Sequence, residues 1–217
     1  MQMLRLLEIT MNIELIYFPY PFWRAEASRI ALHLGEIPFH DHRISGVEFR
    51  ELREQGKLPM KQVPILIVDG KVLTQAATIA RFCGKVSGLY PEDPWQAAKI
   101  DELLDIACEL SYKFSLVVPP KDAEERLQIR AKIAAVDIPK ALSFFEQQLI
   151  SNGTGYYVGT ELTIGDLTVW RFTSWLTSGL LDGIPTTVAD SYPQLLAHHD
   201  RIAEQPNIVQ WMLQYQK

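Results

Sequence analysis

At 217 residues the chain is long enough for one large domain or two small ones with a substantial core. Its 47% hydrophobic and 22% charged residues are ordinary for a globular protein, and a net charge of −5 argues against nucleic acid or anionic lipid as a main partner, since both attract basic patches. Only Cys83 and Cys108 occur, which excludes a disulfide framework and a Cys-x-x-Cys motif and fits a reducing compartment, and no apolar run approaches the ~20 residues that span a bilayer.

The first ten residues, MQMLRLLEIT, have neither a long apolar core nor a small-residue cleavage site, so they read as a non-secretory leader that a start at Met11 would bypass. Asn12 to Phe18 alternates in the manner of a strand, and Pro19-Tyr20-Pro21 ends it. From Arg24 the period changes to that of a helix, with Ala27, Ile30, Ala31 and Leu34 on one face and Gly35 as its stop. Phe39 to Ile44 is a second strand, Val47 to Glu54 a short polar helix, and Gly56 to Pro59 a loop.

The next stretch, KQVPILIVDGKVLTQAATIARF from Lys61 to Phe82, orders the N-terminal half. Asp69-Gly70 between two apolar runs is a strong hairpin signal, and Gln75-Ala76 opens a helical pattern. Pro64 cannot donate a backbone hydrogen bond, so Val63 is left to offer its own N–H and C=O to an extended ligand. One hairpin later, the helix beginning at Gln75-Ala76 supplies free N–H groups and a positive dipole end, for which a carboxylate is the natural guest.

Tyr90 to Pro94 is a proline-bearing linker, and everything beyond it reads as helix. Trp95 to Val118 forms the first of these and Pro119-Pro120 stops it. Asp122 with Glu125 starts another, which Pro139 should kink or break before it resumes to about Ser151. Asn152 to Gly155 is a loop, Thr163 and Asp166 form a capping box flanked by Leu162 and Leu167 as a hydrophobic staple, and helices at Pro193–Ala203 and Asn207–Tyr215 close the chain.

Few residues announce chemistry. His40 and His42 face the same side of one strand, yet no third ligand is identifiable from the sequence, and His198 and His199 diverge on a helix; solvated histidines and no metal are expected. Neither a glycine-rich nucleotide loop nor Gly-x-Ser-x-Gly is present.

The order strand, helix, strand, helix, proline-led hairpin, helix, followed by an all-helical half with an internal capping box, resembles the cytosolic glutathione transferases, and the resemblance implies a cis bond before Pro64. Tyr17-Phe18 at the end of the first strand, with Arg24-Ala25-Glu26 soon after, is similar to the tyrosine-type enzymes and nearest the sigma class. The resemblance implies a thioredoxin-like domain (βαβαββα) over residues 12–89, a linker at 90–95 and an all-α domain over 96–217 that contributes an electrophile pocket. It also implies a cytoplasmic homodimer that takes glutathione as co-substrate and needs no cofactor. Such a protein would conjugate small hydrophobic electrophiles, as in detoxification, or act as a glutathione-dependent isomerase or peroxidase.

Carried over residue by residue, the resemblance makes Tyr17 the hydroxyl donor to the glutathione sulfur, with Arg24 as electrostatic support. The interval from Tyr17 to Arg24 is one residue longer than the family pattern and contains Tyr20, a rival donor. Phe49 stands where the family has an aromatic that is often tryptophan, and Arg53 or Lys61 would supply charge to the glycine carboxylate of glutathione. Gln62, Val63 and Pro64 fall on the strand-like segment that would hold the peptide backbone. The family's Gln-Ser pair for the γ-glutamyl carboxylate is Gln75-Ala76 here, and Glu109 falls where an acid crosses the dimer interface. The apolar pocket would be lined by Tyr20, Phe22, Tyr112 and Leu116. Ala76, Phe49 and the altered loop after Tyr17 would support the alternative of a non-catalytic relative with a structural, interaction or ligand-carrying role.

Overall fold

The computed structural model describes residues 11–115 and 123–214. The N-terminal domain contains β1 (Ile13–Tyr17), α1 (Trp23–Leu34), β2 (His40–Arg43), α2 (Gly46–Glu54), β3 (Ile65–Val68), β4 (Lys71–Thr74) and α3 (Ala76–Val86). Its four strands lie in the order β2-β1-β3-β4; β1 pairs parallel with β2 and antiparallel with β3, and β3 pairs antiparallel with β4. This is the thioredoxin-like arrangement that the sequence implies. At the β3–β4 turn, Asp69 and Gly70 both take positive φ, 49° and 77°. Such a primed two-residue turn matches the right-handed twist of its strands. The Val63-Pro64 bond is cis, as the resemblance implies.

The helical domain contains α4 (Pro94–Ser115), α5 (Ala123–Lys132), α6 (Ile138–Asn152), α7 (Ile164–Leu176), α8 (Pro193–Ala203) and α9 (Pro206–Gln214). The expected extension of α4 to Val118, its stop at Pro119-Pro120, the start signal at Asp122 and the end of α9 at Tyr215 lie outside the described residues. Pro139 neither breaks nor isolates its helix. A π-helical segment, Ile133–Asp137, joins α5 to α6, and Pro139 occupies the first turn of α6, where a missing N–H costs least.

Helix α1 is buried along most of its length, Ala25 through Leu32, because it is covered by the sheet on one side and by α7 and α9 on the other. That position forces its polar residues into pairs. Glu26 accepts from the Trp211 indole at 2.7 Å and from Arg29 at 3.1 Å, and fully buried Arg29 also reaches Asp41 at 2.8 Å and the Phe18 carbonyl at 3.1 Å. Gly84 allows α3 to meet α7 closely, since a Cβ there would lie 2.9 Å from the Ile164 side chain. One core runs through both domains, and a smaller one, Ile16, Ile44, Leu58 and Ile65, lies under α2 on the other face of the sheet.

At α7 the capping box forms as its sequence suggests: the Thr163 hydroxyl accepts from the Asp166 N–H, and Asp166 accepts from the Thr163 N–H at 2.8 Å. Asp166 also takes the Tyr157 N–H at 3.0 Å and bonds the His198 ring at 3.0 Å. His198 is therefore a buried partner of the cap, not the solvated histidine expected from the sequence.

Candidate active site: two cavities that meet at Tyr17

Burial on one side and a proline-rich turn on the other hold Tyr17 at the C-terminal end of β1. Its ring is only 4% exposed. Arg29 donates to the carbonyl of Phe18, and Arg43 donates to the carbonyl of Pro19 at 2.9 Å, so the two residues that follow Tyr17 are pinned by buried or half-buried cations. Those cations are in turn fixed by Asp41, which bonds Arg29 at 2.8 Å and Arg43 at 2.6 Å.

Two cavities open from this point. One, about 550 Å³, is lined by Tyr17, Arg24, Phe49, Gln62, Val63, Pro64, Gln75 and Ala76 together with Met60, Thr74, Cys108 and Tyr112. The other, about 830 Å³, is lined mainly by aromatic and aliphatic side chains of both domains, among them Tyr20, Phe22, Phe114, Trp175, Leu180 and Leu181. Tyr17, Phe18, Arg24 and Ser115 border both.

Eight of the eleven expected site residues thus line one cavity, and three do not. Arg53 is exposed and lies over the Phe49 ring at 5.6 Å. Lys61 is exposed, with φ at 53°, and its N–H turns back to Leu58. Glu109 lies on another face of α4, where it pairs with Lys113 at 3.6 Å and borders a separate cavity with Phe144. Of the apolar set, Tyr20 and Phe22 line the larger cavity as expected, Tyr112 lines the smaller one, and Leu116 lies outside the described residues.

Arg24 ties the domains together at this junction, donating to the hydroxyls of Ser111 and Ser115 on α4, each at 3.0 Å. Burial pushes the Tyr17 phenol well above its ordinary pKa; the Arg24 and Arg29 charges oppose that rise and Tyr20 adds to it. Tyr17 therefore stays protonated at neutral pH and can act as a hydrogen-bond donor, not as a phenolate base. Tyr20 is 52% exposed, stacks on Phe18 with ring centroids 5.4 Å apart and borders only the larger cavity.

The smaller cavity ends at the start of α3. Gln75 precedes that helix with φ 73° and ψ 122°, a conformation rare for any residue but glycine. The Gln75 side chain and the first-turn N–H groups other than that of Ala77, which faces the Cys108 thiol, are the donors available there for an anion. Cys108, Thr74, Met60, Ser111 and Ser115 were not legible as site residues, because they come from α4 and from the segments around the hairpin only once the chain has folded. The Cys108 thiol is pushed up by burial, with smaller opposing effects from the Ala77 backbone and Arg24, and so is held in its neutral form.

Fold and cleft together define a two-domain protein in which a thioredoxin-like domain is joined to a helical one across a cleft. Comparison with known proteins narrows that class. The profile "Glutathione S-transferase, N-terminal domain" matches residues 13–84 and "Glutathione S-transferase, C-terminal domain" matches residues 109–214. Probable glutathione S-transferase 7 of Caenorhabditis elegans is 31% identical over 201 residues, covering 90% of this chain and 93% of the relative. Hematopoietic prostaglandin D synthase of Gallus gallus is 28% identical over 202 residues, covering 93% and 95%. The solved structure of prostaglandin synthase D of Nilaparvata lugens superposes with a TM-score of 0.81 at 25% identity, over 93% of this chain and 97% of that one. The chain belongs to the glutathione S-transferase family.

Proposed function

We propose that the protein is a homodimeric, cytosolic transferase, nearest the sigma class, that joins the glutathione thiolate to small hydrophobic electrophiles in detoxification. Its functional domains are residues 12–89 and 96–217, linked by 90–95. The observation that carries this reading is the position of Tyr17, whose side chain borders both the smaller cavity beside Val63-Pro64 and the larger, mainly apolar one. Glutathione lies extended in the smaller cavity, paired with the backbone at Val63 and with its γ-glutamyl carboxylate at the start of α3. Its sulfur is then beside the Tyr17 hydroxyl and faces the apolar cavity. Holding nucleophile and electrophile in adjacent cavities supplies proximity, and the phenol O–H stabilises the thiolate.

The test is spectroscopic and chemical. Saturation with glutathione at neutral pH should raise the ultraviolet absorbance of a thiolate, and the protein should conjugate a chlorinated nitrobenzene. Binding of glutathione with neither signal supports the second reading, a non-catalytic structural or ligand-carrying relative.

That second reading draws on Ala76, which brings a methyl group to the wall where a hydroxyl would reach the carboxylate. A hydrogen bond to a charged group contributes ~1.5 to 3 kcal/mol, about tenfold to a hundredfold in affinity. Ala76→Ser is therefore expected to tighten glutathione binding by roughly that factor in a calorimetric titration. An unchanged dissociation constant would show that the γ-glutamyl carboxylate lies elsewhere.

A further inference from the structure

We propose that Glu14, His40 and His42 form a binding site for a divalent first-row transition ion, with zinc the ion it suits best. The site belongs to the sheet, not to the cleft. Parallel pairing sets Glu14 opposite His40 and Ile16 opposite His42, and strand alternation turns both histidines to one face. On that face α2 covers Ile16 but leaves the end of the sheet at Glu14 open. The third ligand that no inspection of the β2 sequence reveals comes from β1 through this register.

The geometry is that of a nearly assembled site. One carboxylate oxygen of Glu14 lies 2.7 Å from Nδ1 of His42 and 3.4 Å from Nδ1 of His40. The two imidazoles are nearly parallel, 22° apart, and one donor atom from each of the three residues falls within 4.8 Å of the others. Zinc ligated at about 2.0–2.1 Å holds neighbouring donors of a tetrahedron roughly 3.3 Å apart. The Glu14–His40 spacing already meets that, and the ion replaces the proton shared by Glu14 and His42. His40 is exposed and can rotate its ring onto the ion, and the solvent side leaves a fourth position for water.

A further contact points the same way. Nε2 of His42 meets the Glu48 carboxylate of α2 at 2.8 Å. A carboxylate behind a histidine fixes the ring and its tautomer and leaves the Nδ1 lone pair for the ion once the proton shared with Glu14 has gone to solvent, which is the support that ligating histidines commonly have. Two imidazoles and one carboxylate suit zinc and its neighbours in the series and fit magnesium or calcium poorly, since those ions prefer all-oxygen shells.

Zinc titrated into protein free of any affinity tag is expected to bind at one equivalent. In an imidazole ¹⁵N–¹H spectrum the His40 and His42 resonances should shift while those of His33, His198 and His199 stay in place. Glu14→Gln, His40→Asn and His42→Asn should each weaken binding at least tenfold, and Glu48→Gln by about ten- to a hundredfold through its hold on His42. His40→Asn guards against loss of fold, because this side chain is mostly exposed and the variant should keep the wild-type melting curve. No binding by the wild type, or binding unchanged in the His40→Asn/His42→Asn double variant, would overturn the site.

Discussion

Replacing Tyr17 by phenylalanine is expected to lower kcat/KM for conjugation about tenfold to a hundredfold, while glutathione still binds and the fold persists. The change removes one hydroxyl from a ring that is otherwise packed, so the loss is that of a single hydrogen bond to an anionic sulfur, ~1.5 to 3 kcal/mol. A free thiol of pKa ~8.5 has little thiolate at neutral pH, and an equivalent stabilisation moves the balance by roughly one to two units. The variant's bound glutathione should therefore ionise at higher pH, read from the thiolate absorbance across a pH series. Tyr20→Phe is the control: its half-exposed ring borders the apolar cavity alone, so its effect should stay within about twofold. Should Tyr20→Phe lose activity and Tyr17→Phe keep it, the donor is Tyr20 and the thiolate lies deeper in the apolar cavity.

That Tyr17 and Tyr20 can be separated at all is a gain of the folded structure. In the sequence both lie in one aromatic, proline-rich run, and local pattern cannot say which one ends the strand pointing into a cleft. The strand assignment itself was legible: alternation and the Asp69-Gly70 turn set the hairpin, and the capping residues set α7. Element ends moved by a residue or so, as at α1, which begins at Trp23 instead of Arg24. Helix fraying and cap geometry decide such positions, not periodicity.

The site divides along the same line. Residues on one continuous segment, Gln62 to Pro64 and Gln75-Ala76, were legible because a proline, a turn and a helix start carry their own local physics. Helical spacing from Phe49 says nothing about which neighbour turns toward a cavity, and the Arg53 guanidinium lies over the Phe49 ring. The serines that hold Arg24 lie 87 and 91 residues away, and no short-range rule connects them to it. Nothing local in the sequence marks His198 for burial; the partner that draws it inward, Asp166, is 32 residues distant.

Asp166 carries the second large effect. Every contact around its carboxylate is a donor: the Thr163 N–H and hydroxyl and the Tyr157 N–H, with the His198 Nε2 completing the set. Asparagine has the shape of aspartate but presents an NH2 to one pair of these donors, so it replaces attraction with a donor–donor clash in a fully buried place. Asp166→Asn is therefore expected to destabilise the protein by ~3 to 5 kcal/mol, close to the cost of Asp166→Ala, as befits a broken buried hydrogen-bond network. For a chain of this size that is a fall in melting temperature of roughly 6 to 20 °C. The cap alone, tested by Thr163→Ala, should cost only ~1 to 2 kcal/mol. If Asp166→Asn instead matched Thr163→Ala in a denaturant titration, the carboxylate would serve α7 as a helix cap only. The bonds to Tyr157 and His198, which join α7 to the preceding loop and to α8, would then contribute nothing measurable.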